Sequence, residues 1–356
     1  MASTLEGLVK PLGELDAKPN LLNLPNGTME LKTQTFRDHS PNDYLTFQTN
    51  GCLVPNTEAP RWREFISEVT DGNGDDGRYL QKFCGYTLLS QRREQIILFL
   101  IGDGGDGKSV FIETLKHVLG AYQTTLAPNS ISASHKSSIP NDLARLRGKR
   151  LVTISELPKD LHIDTQVVKG LSGGDTMTAR FLHQEYFDFE PQAQMLIATN
   201  FYPYANPEDK AYFRRVAIMR FPVCFTDGNP DKHLGEKLKN EADGILSWMV
   251  EGLSGYLEEG LLPTPSMEIE KERYKRFADP LSIFFEEYLE ITDQRDFVLS
   301  AYMDRHFELF KKMEERLSIT KVELRQFLQR KGYERKQKRI GPERFRGYSG
   351  LQLKHL

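Results

Sequence analysis

The sequence is short of the features that would mark a disulfide scaffold, a zinc protein or a membrane protein. Its 356 residues include three cysteines, Cys52, Cys84 and Cys224, widely spaced and without a CxxC pair. Idle thiols in a reducing compartment are therefore expected. The eight histidines show no metal-ligand spacing. The longest apolar run, IILFLI (96–101), falls far short of the roughly 20 residues a spanning helix needs. The opening stretch MASTLEGLVKPLGELDAK lacks a basic segment followed by an apolar one, so no secretory signal and a cytoplasmic location are expected. Repeats and low-complexity tracts are absent, and the net charge of −3 gives no bulk attraction for a polyanion.

What is present describes an ordinary globular chain, 39% apolar and 27% charged, long enough for two or three domains. The charge is unevenly distributed. Residues 321–346 hold ten Lys or Arg against three Glu, a local +7 that leaves the rest of the chain at −10. Such asymmetry points to an anionic partner for the tail.

The first 60 residues are rich in turn signals and read as an irregular or small β-containing segment. Residues 61–93 carry two helical patterns separated by GNGDDG, which reads as a loop. From residue 94 short apolar runs alternate with helical stretches: IILFLI (96–101), RLVTI (150–154), QMLIAT (194–199) and VAIMRF (216–221). Runs of this kind suit a sheet covered by helices on both faces. Residues 231–290 read as helical, and a small separate unit is expected from about Phe297, with a capping box at Thr320–Glu323 and a stop at Gly332.

GDGGDGKS (102–109) matches G-x-x-x-x-G-K-[ST] at every fixed position, between a strand and a helix. Gly102, Asp103, Gly104, Gly105, Asp106, Gly107, Lys108, Ser109 and Val110 are the candidate nucleotide-binding residues. Backbone N–H groups would turn onto the phosphates, Lys108 would reach the β/γ positions and Ser109 would ligate Mg²⁺. Asp103 and Asp106 are free to point into solvent. Glu156, ending LVTISE, is the candidate for the metal shell and for polarising water. Asn200, just beyond LIAT, could hold the attacking water or the γ-phosphate. Arg214 and Arg215 precede the last strand, and one of them, Arg215 by preference, could reach a neighbouring subunit's site.

The order GDGGDGKS, LARLRGKRLVTISE, KGLSGGDTMTAR, FEPQAQMLIATNFYP, DKAYFRRVAIMRFP resembles superfamily 3 helicases. More narrowly it is similar to the helicase part of phage, plasmid and poxvirus-type primase–helicases, over roughly residues 20–290. The resemblance implies an AAA+-like ring, a hexamer by expectation, that moves single-stranded or forked DNA through its channel with ATP and Mg²⁺. It also implies a hairpin projecting into the channel, here within residues 171–191, and a primase–polymerase domain elsewhere in the same polypeptide. Arg180 and His183 on that hairpin, together with Lys169 just before it, are the candidate DNA contacts; Phe181, Tyr186 and Phe187 would stack on bases or pack the hairpin. In the tail, Lys336, Lys338 and Arg339 would hold phosphates without reading sequence.

The expected fold is α/β: a P-loop AAA+-like core (94–226), a helical or irregular N-terminal region serving as collar (1–93), a helical lid (227–292) and a basic winged-helix-like unit (293–356). The leading function is an ATP-dependent DNA helicase of phage- or plasmid-type replication. A nucleotide-dependent loader or packaging ATPase that binds DNA without unwinding it, and a P-loop kinase, are the alternatives. DNA-stimulated hydrolysis would separate the kinase, and strand displacement the loader.

Overall fold

The computed structural model describes residues 12–91, 93–134, 141–181, 185–225, 231–313 and 319–354. The chain forms two compact units, one running to Glu272 and one from Arg273. No division falls after residue 93 or residue 226, and the last boundary lies 20 residues earlier than the pattern implied. The reason is a shared core: Leu22 and Leu24 near the N-terminus, Trp62, Leu98 and Phe111 in the middle, and Trp248 and Leu253 beyond the sheet belong to one buried cluster. Among the described residues no helix is long and apolar enough to cross a membrane.

The N-terminal part of the first unit is a small antiparallel sheet of β1 (Leu21–Leu24), β2 (Gly27–Glu30) and β3 (Thr35–Arg37). Two helices follow. In α1 (Pro60–Val69) proline occupies the first turn, where its missing N–H costs nothing, and Trp62, Phe65, Ile66 and Val69 form the buried stripe. In α2 (Gly74–Tyr86) the Asn73 side chain accepts from the N–H groups of Asp75 and Asp76. The GNGDDG segment is thus partly helix, because Asn73 caps it and two carboxylates complement the helix N-terminus.

The central sheet is parallel throughout. Its strands in chain order are β4 (Ile97–Ile101), β5 (Gln123–Thr125), β6 (Leu151–Ser155), β9 (Gln194–Thr199) and β10 (Val216–Arg220), and their spatial order is β10-β4-β9-β6-β5. Between them run α3 (Lys108–Leu119), the short α4 (Asn141–Ala144), α5 (Thr165–Gly173), a two-stranded hairpin of β7 (Met177–Ala179) and β8 (Phe187–Phe189), and α6 (Lys210–Arg215). β4 and β9 are buried along their whole length, as strands covered on both faces must be.

Arg150, wholly buried just before β6, donates to the carbonyls of Leu21 and Leu88 and lies 4.5 Å from the Tyr122 ring. Burial pushes its pKa down, with Tyr122 acting the other way. One guanidinium therefore staples the N-terminal sheet and the end of α2 to the central sheet.

Beyond the sheet come α7 (Leu234–Asn240), α8 (Ala242–Glu259) and α9 (Pro265–Ala278), the last containing the division between the units. α8 crosses α2 with backbones touching. A Cβ added to Gly85 would stand 2.1 Å from the Leu253 nitrogen, and one added to Gly252 would stand 2.0 Å from the Gln81 carbonyl oxygen.

The second unit contains α10 (Pro280–Tyr288), β11 (Leu289–Ile291), β12 (Phe297–Leu299), α11 (Ser300–Met313), α12 (Lys321–Arg330), β13 (Arg335–Ile340), β14 (Glu343–Ser349) and β15 (Leu351–Leu353). β11 pairs with β15, and β12-β14-β13 form an antiparallel sheet. Phe284, Phe307, Phe310, Leu324, Leu328 and Tyr348 make its core. α12 opens on a full capping box between Thr320 and Glu323.

Candidate nucleotide and nucleic-acid sites

The glycine-rich loop leaves the C-terminal end of β4 and enters α3. Gly104, Gly105 and Gly107 all have positive φ, which a side chain would strain. Gly102 is required for a different reason: a Cβ there would meet the Asp106 carboxylate at 2.1 Å and the Phe221 carbonyl at 2.8 Å. α3 is held from behind by aromatic packing. Phe111 stacks on Trp62 at 5.5 Å and meets Phe221 edge-on at 5.9 Å, while Trp62 in turn meets Trp248.

The two loop carboxylates behave differently. Asp103 is exposed, its side chain 92% accessible. Asp106 is buried, and the expectation that it points to solvent does not hold. Its carboxylate accepts from the N–H groups of Gly104 and Lys108 at 3.3 Å each, and it pairs with the Lys108 ammonium. The loop thus turns its inward N–H donors and its lysine onto one anionic group. Ser109 is exposed and Val110 half-buried at the start of α3.

Strand register places the other candidates. Ile101 pairs with Thr199, and Ser155 with Ala198, so Gly102, Glu156 and Asn200 all sit just past the same edge of the sheet. The Asn200 amide nitrogen lies 3.8 Å from the Cβ position of Gly104. Glu156 is exposed, has φ of +59° and donates its backbone N–H to the Ala198 carbonyl at 3.1 Å. A left-handed backbone at a non-glycine residue costs of order 1 kcal/mol or more, and such strain clusters at functional positions.

Arg214 and Arg215 are elsewhere. They end α6 and precede β10, whose first residue, Val216, is level with Ile97 at the start of β4. The glycine-rich loop lies at the other end of these strands, about 16 Å away along the strand direction. Arg214 is exposed; Arg215 is half-buried and donates to the Ala211 carbonyl at 2.9 Å. Neither can serve the loop of its own chain in this arrangement.

Three residues at the loop's edge carry no role in the sequence reading, although two of them, Tyr202 and Arg220, stand within FEPQAQMLIATNFYP and DKAYFRRVAIMRFP. Arg220, the last residue of β10, is level with Ile101 and lies 3.7 Å from Asp103. Its Nε donates to Glu270 at 3.2 Å, and Tyr202 OH donates to the same carboxylate at 2.6 Å. Burial and then Glu270 push the Tyr202 phenol up to about 12. Arg220 is raised as well: burial opposes its charge, but Glu270 outweighs it. A strand-terminal Arg looks like an ordinary strand end, and its buried partner lies 50 residues away.

The hairpin consists of the two strands expected between 171 and 191. Phe181 stacks on Phe187 at 5.7 Å, and Phe187 contacts Phe189, so these rings pack the hairpin. Tyr186 is 52% exposed, with the Arg180 guanidinium 4.9 Å from its ring. His183 lies outside the described residues. Lys169, on α5 just before the hairpin, pairs with Asp209 at 2.8 Å, so it is engaged within the fold. Burial opposes the charge on Asp209, yet Lys169, Thr165 and the Tyr212 N–H hold its carboxyl below the usual range. The hairpin borders an open cleft of about 950 Å³ lined by Phe47, Arg145, Arg147, Lys149, Phe181 and Phe189, among others.

In the second unit Lys336, Lys338 and Arg339 are all exposed on β13. Lys338 donates to the Arg295 carbonyl at 2.8 Å and lies 5.3 Å from the Phe297 ring. Among the described residues no cluster of three or more His, Cys, Asp or Glu is arranged to hold a metal ion by itself.

Comparison with known proteins adds independent findings. A family model described as "D5 N terminal like" matches residues 2–71, and one described as "Family of unknown function (DUF5906)" matches residues 100–215. The chain is 26% identical over 300 residues to "Putative helicase L207/L206" of Acanthamoeba polyphaga mimivirus, covering 78% of this chain and 31% of that protein. It is 25% identical over 305 residues to "Putative primase C962R" of African swine fever virus (isolate Warthog/Namibia/Wart80/1980), covering 77% and 31%. The chain thus spans about a third of the length of these curated relatives. Among solved structures it is similar to the apo NrS-1 C terminal region, with a TM-score of 0.52 at 11% identity, covering 94% of this chain and 84% of that one. That likeness bears on the fold, a parallel α/β sheet with helices. The chain is similar to the viral proteins named helicase or primase, and it is primase–helicase-like.

Proposed function

We propose that this chain is the motor part of a viral- or phage-type primase–helicase: a P-loop, AAA+-like, superfamily 3 ATPase that moves on single-stranded or forked DNA. The observation that carries this reading is positional. The glycine-rich loop, Glu156 and Asn200 share one edge of the sheet, whereas Arg214 and Arg215 stand at the opposite end of β10. A site divided in this way needs a second subunit, so a ring, with six members by resemblance, is the natural assembly. The names of the relatives divide between helicase and primase. The P-loop constellation favours the motor for the stretch shared here and leaves primase chemistry to the remainder of a longer polypeptide. Action in the cytoplasm, the host's in the case of a virus, completes the reading.

The residues fit nucleotide and metal. Inward N–H groups and Lys108 already hold one carboxylate, and a phosphate offers the same chemistry. Ser109 and Glu156 are the residues that would hold Mg²⁺, which supplies charge neutralisation on the phosphates. Asn200 would orient water or γ-phosphate, and Arg215 would stabilise transition-state charge in the neighbouring site. DNA would meet Arg180 and Tyr186 on the hairpin, the one cationic and the other exposed enough to stack.

The test measures ATP binding, ATP turnover with and without single-stranded DNA, and displacement of a strand from a fork. Arg215→Ala should bind ATP with little change and lose hydrolysis by about 10³-fold or more. Normal turnover by that variant would sink the shared site. Hydrolysis stimulated by DNA without strand displacement would instead support a loader or packaging ATPase.

A further inference from the structure

The second unit carries a surface that the motor reading leaves unused. α12 buries Leu324, Phe327 and Leu328 and exposes Val322, Gln326 and Gln329. Their spacing of four and three residues sets them in one stripe along the helix. Its neighbour Glu323 is committed to the capping box, accepting from the Thr320 N–H at 2.8 Å. The stripe is one apolar side chain and two amides, on a helix flanked by basic residues.

The strand register sorts those basic residues into two faces. Arg335, Gln337 and Arg339 lie opposite Tyr348, Arg346 and Arg344, so all six share one face. Lys336, Lys338 and Ile340 lie opposite Gly347, Phe345 and Glu343 on the other. Tyr348 is buried and pairs with Val298 of β12, and both belong to the core that holds the apolar side of α12. The arginine face is therefore on the helix-bearing side of the sheet, and the lysine face is turned away. Arg335 donates to Ser300, and Arg325 of α12 pairs with Asp304 on α11, which ties the two elements on that side. Among the described residues Arg344 and Arg346 have no ion-pair partner. Arg339 stands directly opposite Arg344, a like-charge pair that destabilises a hairpin unless an anion answers it.

We propose that the second unit is a sequence-reading module for duplex DNA, with Val322, Gln326 and Gln329 of α12 facing base edges in the major groove and Arg339, Arg344 and Arg346 holding phosphates. A glutamine amide can donate to and accept from adenine at once, and an apolar side chain suits the thymine methyl group. Arginine forks match phosphate geometry. The stripe also favours duplex over single strand, since single strands are held by stacking on exposed rings and this stripe has none. The proposal does not depend on the motor reading, because base readout needs no hydrolysis.

The experiment selects duplexes from a random-sequence pool with the full chain and then measures affinity for the selected duplex, a random duplex and each single strand across a salt series. An adenine- and thymine-containing motif should be enriched. Gln326→Ala with Gln329→Ala should lose roughly tenfold or more on the selected duplex and little on random duplex, the latter serving as its folding control. Arg339→Ala, Arg344→Ala and Arg346→Ala together should weaken both duplexes alike and reduce the slope of log affinity against log salt by about 3. Lys336 and Lys338, expected from the sequence pattern to hold phosphates beside Arg339, lie on the other face, so Lys336→Ala and Lys338→Ala together should leave that slope almost unchanged. Lys108→Ala should select the same motif, which keeps a failure of the motor reading distinct from a failure here. The proposal is overturned by an absent motif, by tighter binding to single strands, or by the same change of slope per substituted residue in the arginine and the lysine variants.

Discussion

The carboxylate of Asp106 takes up the donors a phosphate would need: the N–H groups of Gly104 and Lys108 and the Lys108 ammonium. On the proposed reading it would have to leave them for a nucleotide to bind, so it would compete with the ligand; it also keeps a buried lysine paired. Asp106→Ala should therefore do two things at once. Nucleotide affinity should rise about tenfold, since charge-assisted bonds worth roughly 1.5–3 kcal/mol no longer have to be exchanged. The nucleotide-free protein should melt earlier, since Lys108 loses its partner. Calorimetric titration and thermal unfolding read the two effects, and unchanged affinity would refute the competition. The motif made the loop legible but not this residue, because the x positions of G-x-x-x-x-G-K-[ST] carry no orientation. Arg150 was hidden in a similar way within LRGKRL, which looks like solvated surface charge. Its replacement in Arg150→Met leaves the carbonyls of Leu21 and Leu88 unpaired and buried, at roughly 1–3 kcal/mol each, and chemical denaturation should report the loss.

Elements were easiest to read where periodicity and burial agree. QMLIAT is β9 residue for residue, and the stripe of Trp62, Phe65, Ile66 and Val69 is the buried face of α1. β5 was not legible, because Gln123-Thr-Thr125 is a short polar edge strand with only one neighbour to pair with. Nor was the contact of α2 with α8, since a glycine inside a helical pattern signals only lower propensity until the partner backbone is known. That contact makes a sharp expectation. Gly252→Ala should cost about 3 kcal/mol in urea unfolding, because the added methyl meets the Gln81 backbone rather than a movable side chain. Gly255→Ala on the same helix should be neutral or stabilising: its Cβ would stand 3.5 Å from a Lys82 methylene, an ordinary contact, and alanine favours the helix by about 1 kcal/mol. Equal losses from the two substitutions would mean that helix propensity, not close approach, governs this crossing.

At the scale of the molecule, the order of motifs was visible but the spatial order β10-β4-β9-β6-β5 was not, since nothing local encodes which parallel strand lies beside which. Register then supplies what the motifs lacked, a direction: Gly102, Glu156 and Asn200 past one end of the sheet, Arg214 and Arg215 before the other. This separation turns the assignment of the arginine into a question about subunits, and mixing two defective proteins answers it. Lys108→Ala removes the grip on phosphate and keeps Arg215; Arg215→Ala keeps the grip and lacks the arginine. Each alone should be inactive as an ATPase. Mixed in equal amounts under conditions that allow exchange, they form some interfaces with an intact loop from one subunit and an intact arginine from the next. If sites act independently and subunits mix at random, about one quarter of the interfaces are complete, and turnover should recover to about that fraction of the parent. An arginine acting within its own chain gives no recovery, because every subunit in the mixture is missing one of the two groups. The same titration with Arg214→Ala decides which of the neighbouring arginines completes the site.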